Sequence, residues 1–232
     1  MAVHLDHVFV FTAPGAPEAA ALTAAGLRES FRRAHPGQGT ANVCYCFDNA
    51  YLELLWADDG AGPAAPAAAR TGLGVRADWR RSGASPFGIA VRGAGPLPFA
   101  TWDYAAPFLP DGATIPVALD SDDPRQPFLF RSPGNARPAD WTDGRAGPRQ
   151  RAAGLTGIAG VHLDLPPGLA PAPALTALAA AGLIALGTAD AAPRLVLALA
   201  RADGGPPRRL SLPGLVWAER GAPSVAPPAR AA

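Results

Sequence analysis

Between residues 4 and 56 the hydrophobic pattern changes its period in one fixed order, and that order narrows the folds open to the chain. Residues 4–12 (HLDHVFVFT) are a β-branched and aromatic run that reads as a strand and stops at the Pro14-Gly15 turn signal. Residues 17–25 (PEAAALTAA) carry proline and glutamate at the start and Gly26 after the end, the marks of a short helix. Residues 27–34 predict a second strand, HPGQG at 35–39 a turn, and 40–47 (TANVCYCF) a third strand. Asp48-Asn49 is a hairpin signal, and 50–56 (AYLELLW) predict a fourth strand. The result is one strand–helix–strand–strand–strand unit.

A Pro/Ala/Gly stretch at 58–68 breaks this pattern, and 70–81 predict a helix. Short strands are expected at 87–92 (FGIAVR), 99–104, 114–119 and 127–131. No helical pattern follows the first of them. Prolines at 96, 98, 107, 110 and 116 predict long loops and edge-like strands instead. Residues 132–151 are polar and rich in Gly and Pro and read as a linker. Then come a strand at 157–165, an alanine-rich helix at 169–181 stopped by Gly182, and strands at 194–200 and 208–212. The tetrapeptide AAGL at 24–27 recurs at 180–183, so the first unit's order shows again. The expected organisation is two units over 1–131, a linker over 132–156, a partial third unit over 157–215, and a disordered tail over 216–232.

Composition removes several classes of function. The formal net charge is +1, without the clustered basic excess that a nucleic-acid footprint requires. Every basic side chain apart from histidine is arginine, which, with the load of Ala, Gly and Pro, points to a GC-rich genome and weakens arginine as a sign of anion recognition. Cys44 and Cys46 alternate in one predicted strand and read as small buried hydrophobes, not as a disulfide. Residues 1–11 (MAVHLDHVFVF) do not read as a signal peptide, and no run approaches the roughly 20 apolar residues of a spanning helix. The expectation is a cytoplasmic protein with no nucleic-acid or membrane partner. Asp120 to Asp123 (DSDD) lack calcium-loop spacing and read as a solvated turn.

Three segments, in order, carry a family resemblance: Leu5-Asp6-His7-Val8 in the first strand, His35-Pro36-Gly37-Gln38-Gly39-Thr40-Ala41-Asn42 entering the third, and Tyr51-Leu52-Glu53-Leu54-Leu55 in the fourth. The chain resembles the glyoxalase-like domains of the vicinal oxygen chelate superfamily. The resemblance implies an α+β fold of tandem βαβββ modules whose sheet curls around a cleft, with a degenerate middle module. It sets the first and fourth strands of a module side by side, so His7 and Glu53 would rise from the concave face while Val8 and Val10 pack on the helix. It implies a divalent metal ion (Mn, Fe, Ni or Zn) held by His7 and Glu53 and acting as a Lewis acid on adjacent substrate oxygens.

The full family site takes more ligands from a second module. In the middle section those positions fall near Gly88 and Phe128, which cannot ligate; in the C-terminal section His162 matches His7, while Ser211 stands where Glu53 would. His162 is thus the third metal candidate. His7 and Glu53 are also the candidate catalytic pair, and His35 and Asn42 the candidate substrate-binding residues. Each has a plain alternative: a hydrogen-bonded core histidine, a solvated strand face, a turn surface, a strand-start asparagine bonding backbone. The functional expectation is a lyase, isomerase or dioxygenase acting on a small molecule with adjacent oxygens. The alternative is a protein of the same fold that sequesters a small molecule without chemistry. A homodimer is compatible with either.

Overall fold

The computed structural model describes residues 3–62 and 64–217. The first unit is β1 (His4–Phe11), α1 (Ala19–Ala24), β2 (Phe31–His35), β3 (Thr40–Cys46) and β4 (Tyr51–Ala57). The helix is stopped as the pattern predicts: Leu27 N–H reaches back to the Leu22 carbonyl, with Gly26 between them at φ +88°. The region expected to be one helix over 70–81 is three short pieces, a 3-10 turn (Pro66–Thr71), α2 (Leu73–Ala77) and α3 (Trp79–Ser82). Next come β5 (Phe87–Arg92), β6 (Thr101–Tyr104), β7 (Ile115–Ala118) and β8 (Phe128–Arg131), with no helix between β5 and β6.

These strands form one eight-stranded sheet in the order β2-β3-β4-β1-β5-β8-β7-β6. Reading outward from the centre, each half repeats the same internal order, and β1 meets β5 antiparallel at the seam. Within each half the first and last strands pair in parallel, β1 with β4 and β5 with β8. A central strand buried on both faces needs apolar residues on both. β1 meets this with Val8 and Val10 on one side and His7, Phe9 and Phe11 on the other.

The C-terminal section is β9 (Leu155–Leu165), α4 (Pro173–Ala180), β10 (Ala185–Thr188), β11 (Arg194–Arg201), β12 (Arg208–Leu212) and β13 (Val216–Trp217). It forms its own sheet in the order β10-β9-β11-β12-β13. The third-unit expectation is corrected here. The βα crossover through α4 lays β10 parallel on one edge of β9, and β11 takes the other edge. β12 is one strand removed, so Ser211 stands opposite Val196 and not beside His162. The repeat AAGL marks two similar helix stops, not two similar sheets.

This section has a packing role. The middle unit has no helix to cover the back of β5 and β8, and an apolar sheet face must be covered by something. Ile89, Val91, Ala118 and Leu129 share one buried cluster with Ala174, Leu175 and Leu178 of α4 and with Val8, Val10 and Leu22 of the first unit. Asp120 Oδ2 accepts a 2.7 Å hydrogen bond from Ala174 N–H, and Gln126 Nε2 donates to the Ala170 carbonyl at 2.9 Å. The DSDD turn is therefore not only solvated: the fully buried Arg76 guanidinium donates to the carbonyls of Ser121, Asp123, Pro124 and Gln126 around it.

The segment expected to be a linker is fastened to the first unit. Gln150 brackets the Arg28 backbone, accepting from N–H and donating to C=O at 2.9 Å each, and Ser30 Oγ donates to the Pro148 carbonyl. At Gly147 (φ +49°) a Cβ would lie 2.0 Å from the Ser30 carbonyl oxygen, so no other residue fits this approach. Of the expected disordered tail, Val216 and Trp217 form β13, and 218–232 lie outside the described residues. No helix among the described residues is long and apolar enough to cross a membrane.

Candidate functional site

The site follows from strand register. On the concave face one row of paired residues runs Phe31, Cys44, Glu53, Phe9, Gly88, Phe128 across β2-β3-β4-β1-β5-β8. The next row runs Cys46, Tyr51, His7, Ala90, Phe130. On the other side of the first row lies Arg33, Asn42, Leu55, Phe11, and beyond it the pair His35 and Thr40. His7, His35, Asn42 and Glu53 thus border one cavity of about 170 Å³, as the alternation of their strands requires.

At its floor the polar groups form a chain. His7 Nδ1 is 2.8 Å from Asp6 Oδ2, and His7 Nε2 is 3.3 Å from Glu53 Oε2. Asn42 Nδ2 donates to Glu53 Oε1 at 2.6 Å. Asp6 also pairs with Arg92, 3.7 Å away. All four members, Asp6, His7, Asn42 and Glu53, are buried. An ionised carboxylate only accepts, so His7 satisfies both neighbours at once only when both ring nitrogens carry protons. The imidazole stacks flat on Tyr51, with centroids 4.3 Å apart, and meets the edge of Phe130 at 5.3 Å. Burial, then Asp6 and Glu53, hold the Tyr51 hydroxyl well above the usual phenol range, so it stays a neutral wall.

His35 is built differently. Its Nδ1 lies 2.9 Å from Thr40 Oγ1, which also accepts from Gln38 Nε2 at 2.8 Å, while Gln38 Oε1 accepts from the Tyr104 hydroxyl. Burial lowers the His35 pKa, only partly offset by Glu53, so the ring is a neutral donor near pH 7. The cysteines are free and buried; burial, then Glu53, pushes the Cys44 thiol far up, and burial pushes Cys46 up to about 11.

His162 does not join this site. It lies on β9 in the C-terminal sheet, its Nε2 2.8 Å from Asp164 Oδ1, and Asp164 also pairs with Arg194. This removes the third metal candidate. The corresponding concave positions of the middle unit carry Gly88, Ala90, Phe128 and Phe130. The Phe9 ring fills the space above Gly88, where an added Cβ would meet it at 2.0 Å. No three metal-ligating side chains converge among the described residues. His7 Nε2 and Glu53 Oε2, with Asp6 behind the ring, have the form of a metal half-site with its supporting carboxylate. The other half is aromatic, so the donor set does not fit the family's ion.

Several cavity residues escape sequence reasoning. Asp6 precedes His7, and strict alternation would send it to the opposite face. A register shift in β1 between Leu5 and His7, of the β-bulge kind, brings both to the same cavity. Trp141 and Arg145 come from the supposed linker. Trp141 leans on Phe31 and Tyr51, with centroids 6.2 and 5.8 Å away, and Arg145 lies over its ring at 4.3 Å. No local signal marks such a wall, because it exists only once the segment is fastened beside β2.

Residues 5–100 match the family described as glyoxalase-like domain. This part of the chain is therefore a glyoxalase-like domain of the vicinal oxygen chelate superfamily, a group that contains enzymes, often metal-dependent, and non-catalytic members. The match takes in the first unit and β5, the strands that carry His7, Glu53 and their neighbours. No curated protein and no solved structure matches the chain.

Proposed function

We propose that the cavity binds a small carbonyl compound with adjacent oxygens and that Glu53 removes a proton from the carbon next to the carbonyl, as in a lyase or isomerase. The observation that carries this reading is the buried Glu53 carboxylate at the cavity floor, oriented by Asn42 at 2.6 Å and His7 at 3.3 Å. Burying a carboxylate is costly, and this arrangement holds one oxygen by Asn42 and the other by His7, leaving lone pairs for the cavity. The proton moves from carbon to Glu53 while the electron pair enters an enolate, and the proton then returns to the adjacent carbon or to a leaving group. His7, steadied by Asp6, is a positioning residue for Glu53. His35 offers its neutral N–H to the developing enolate oxygen, and Asn42 borders the same space.

Exchange of the carbon-bound proton with D2O, followed by proton NMR over a panel of small α-hydroxy ketones, tests this. The wild type is expected to catalyse exchange, and Glu53→Gln to slow it about 100-fold or more. Equal exchange in both proteins removes Glu53 as the base. The missing second pair of ligands favours a second reading, a binding protein without chemistry. In that case ligands bind, no compound exchanges, and Glu53→Gln leaves affinity within about twofold.

A further inference from the structure

We infer that the ligand of this cavity is a flat carboxylate about one ring in size, with its carbonyl at the end away from the carboxylate, and that Arg33 selects its charge. This rests on the proposed role of the cavity as a ligand site and adds the ligand's chemical class.

Charge matching around the cavity supplies the argument. Asp6 pairs with Arg92 and contacts His7, Glu53 accepts a hydrogen bond from Asn42 and contacts His7, and Arg145 pairs with Asp143 at 3.2 Å. Arg33 also borders the cavity, and no carboxylate pairs with it among the described residues. It stands opposite Asn42 in the β2–β3 register, on the concave face, with its guanidinium 5.8 Å from the Phe31 ring centre. A ligand carrying a positive charge would be repelled by this arginine at the cavity's border. A ligand carrying a negative charge finds one cation free to form a forked pair.

The other walls set shape. Phe31, Tyr51 and Trp141 lean on one another at 5.8 to 6.2 Å, and Phe128 and Phe130 close the far side. Flat rings facing a narrow space favour a flat ligand. The cavity, at about 170 Å³, is close to the roughly 150 Å³ that accommodates one benzene ring. β2 and β4 lie about 10 Å apart across β3, so a carboxylate held by Arg33 leaves the far end of one substituted ring directed toward Glu53.

Calorimetric titration with salicylate and its neutral counterpart salicylamide tests the inference, using the wild type, Arg33→Gln and Arg33→Lys. Arg33 is exposed, so these variants are expected to fold, and circular dichroism checks it. The expected result is salicylate binding about tenfold or more tighter than salicylamide. Arg33→Gln should erase that gap without changing salicylamide affinity, and Arg33→Lys should retain part of it. Equal binding of the two compounds, tighter binding of the amide, or a gap that survives Arg33→Gln overturns the charge assignment and leaves the ligand cavity standing. If neither compound binds the wild type, the assignment of ligand class falls, and the D2O exchange panel decides separately whether the cavity is a ligand site.

Discussion

Gly88→Ala is a change of one methyl group at the seam of the two units, and its cost can be worked from the packing. The new Cβ would sit 2.0, 2.3 and 2.5 Å from three atoms of the Phe9 ring, where ordinary contact begins near 3.4 Å. The ring is flanked by Phe11 at 5.7 Å, Phe128 at 6.2 Å and Phe130 at 6.3 Å, centre to centre, so it can yield only toward the cavity it borders. Inserting a methyl into such a core costs about 1–3 kcal/mol. For a domain of this size that is a fall in Tm of roughly 3 to 10 °C. Urea and thermal unfolding of Gly88→Ala measure it, with Gly74→Ala as control, since a Cβ at Gly74 meets nothing within 4 Å. Adding Phe9→Leu should make the pair of substitutions less costly than their sum, because the side chain that clashes has gone. A Gly88→Ala protein within about 0.5 kcal/mol of wild type would refute this packing. The claim that an aromatic ring fills the place of a second-unit ligand would fall with it.

Arg76→Met keeps most of the apolar stem and removes the donors to the carbonyls of Ser121, Asp123, Pro124 and Gln126, so about 2–5 kcal/mol of stability should be lost in urea unfolding. A loss under about 1 kcal/mol would mean that water or another group replaces the guanidinium readily. His35 has a folded pKa below its ordinary 6.5, so the unfolded chain binds the extra proton first. Its share of stability is full above pH 6.5 and is lost as pH falls from there toward the lowered folded value. His35→Gln should flatten that part of a urea-midpoint series between about pH 7.5 and pH 5, and an unchanged slope would show that His35 is not buried neutral.

The eight-stranded sheet has two halves of the same internal strand order, and the polar side chains of the cavity floor, Asp6, His7, Asn42 and Glu53, all come from one of them. The second half contributes Phe128 and Phe130 to the wall, and the C-terminal sheet covers its back in place of a helix. The two features are coupled in physical terms. Once aromatic side chains fill the concave face and another sheet shields the convex one, β5 and β8 are central, buried strands that need only apolar residues.

The sequence by itself determined the order of elements in the first unit, the facing of His7 and Glu53, and the split of β1 into a helix-side and a cavity-side set. These depend on local periodicity and on one resemblance. It also marked Gly88 and Phe128 as unable to ligate, because residue type alone decides that. Pairing partners in the C-terminal sheet were decided only by tertiary structure: strand–helix–strand–strand order is the same whether β9 meets β10 and β11 or a strand further on. That difference removed Ser211 and His162 from the site. Asp6 joined the site through a register shift that breaks alternation, and Trp141 through the anchoring of residues 132–151 by Gln150 and Ser30. Register shifts and long-range anchors depend on contacts between residues far apart in the chain. No window of neighbouring residues contains them, which is why His7, Asn42 and Glu53 of the cavity floor were legible in the sequence, while Asp6 and the Trp141 wall were not.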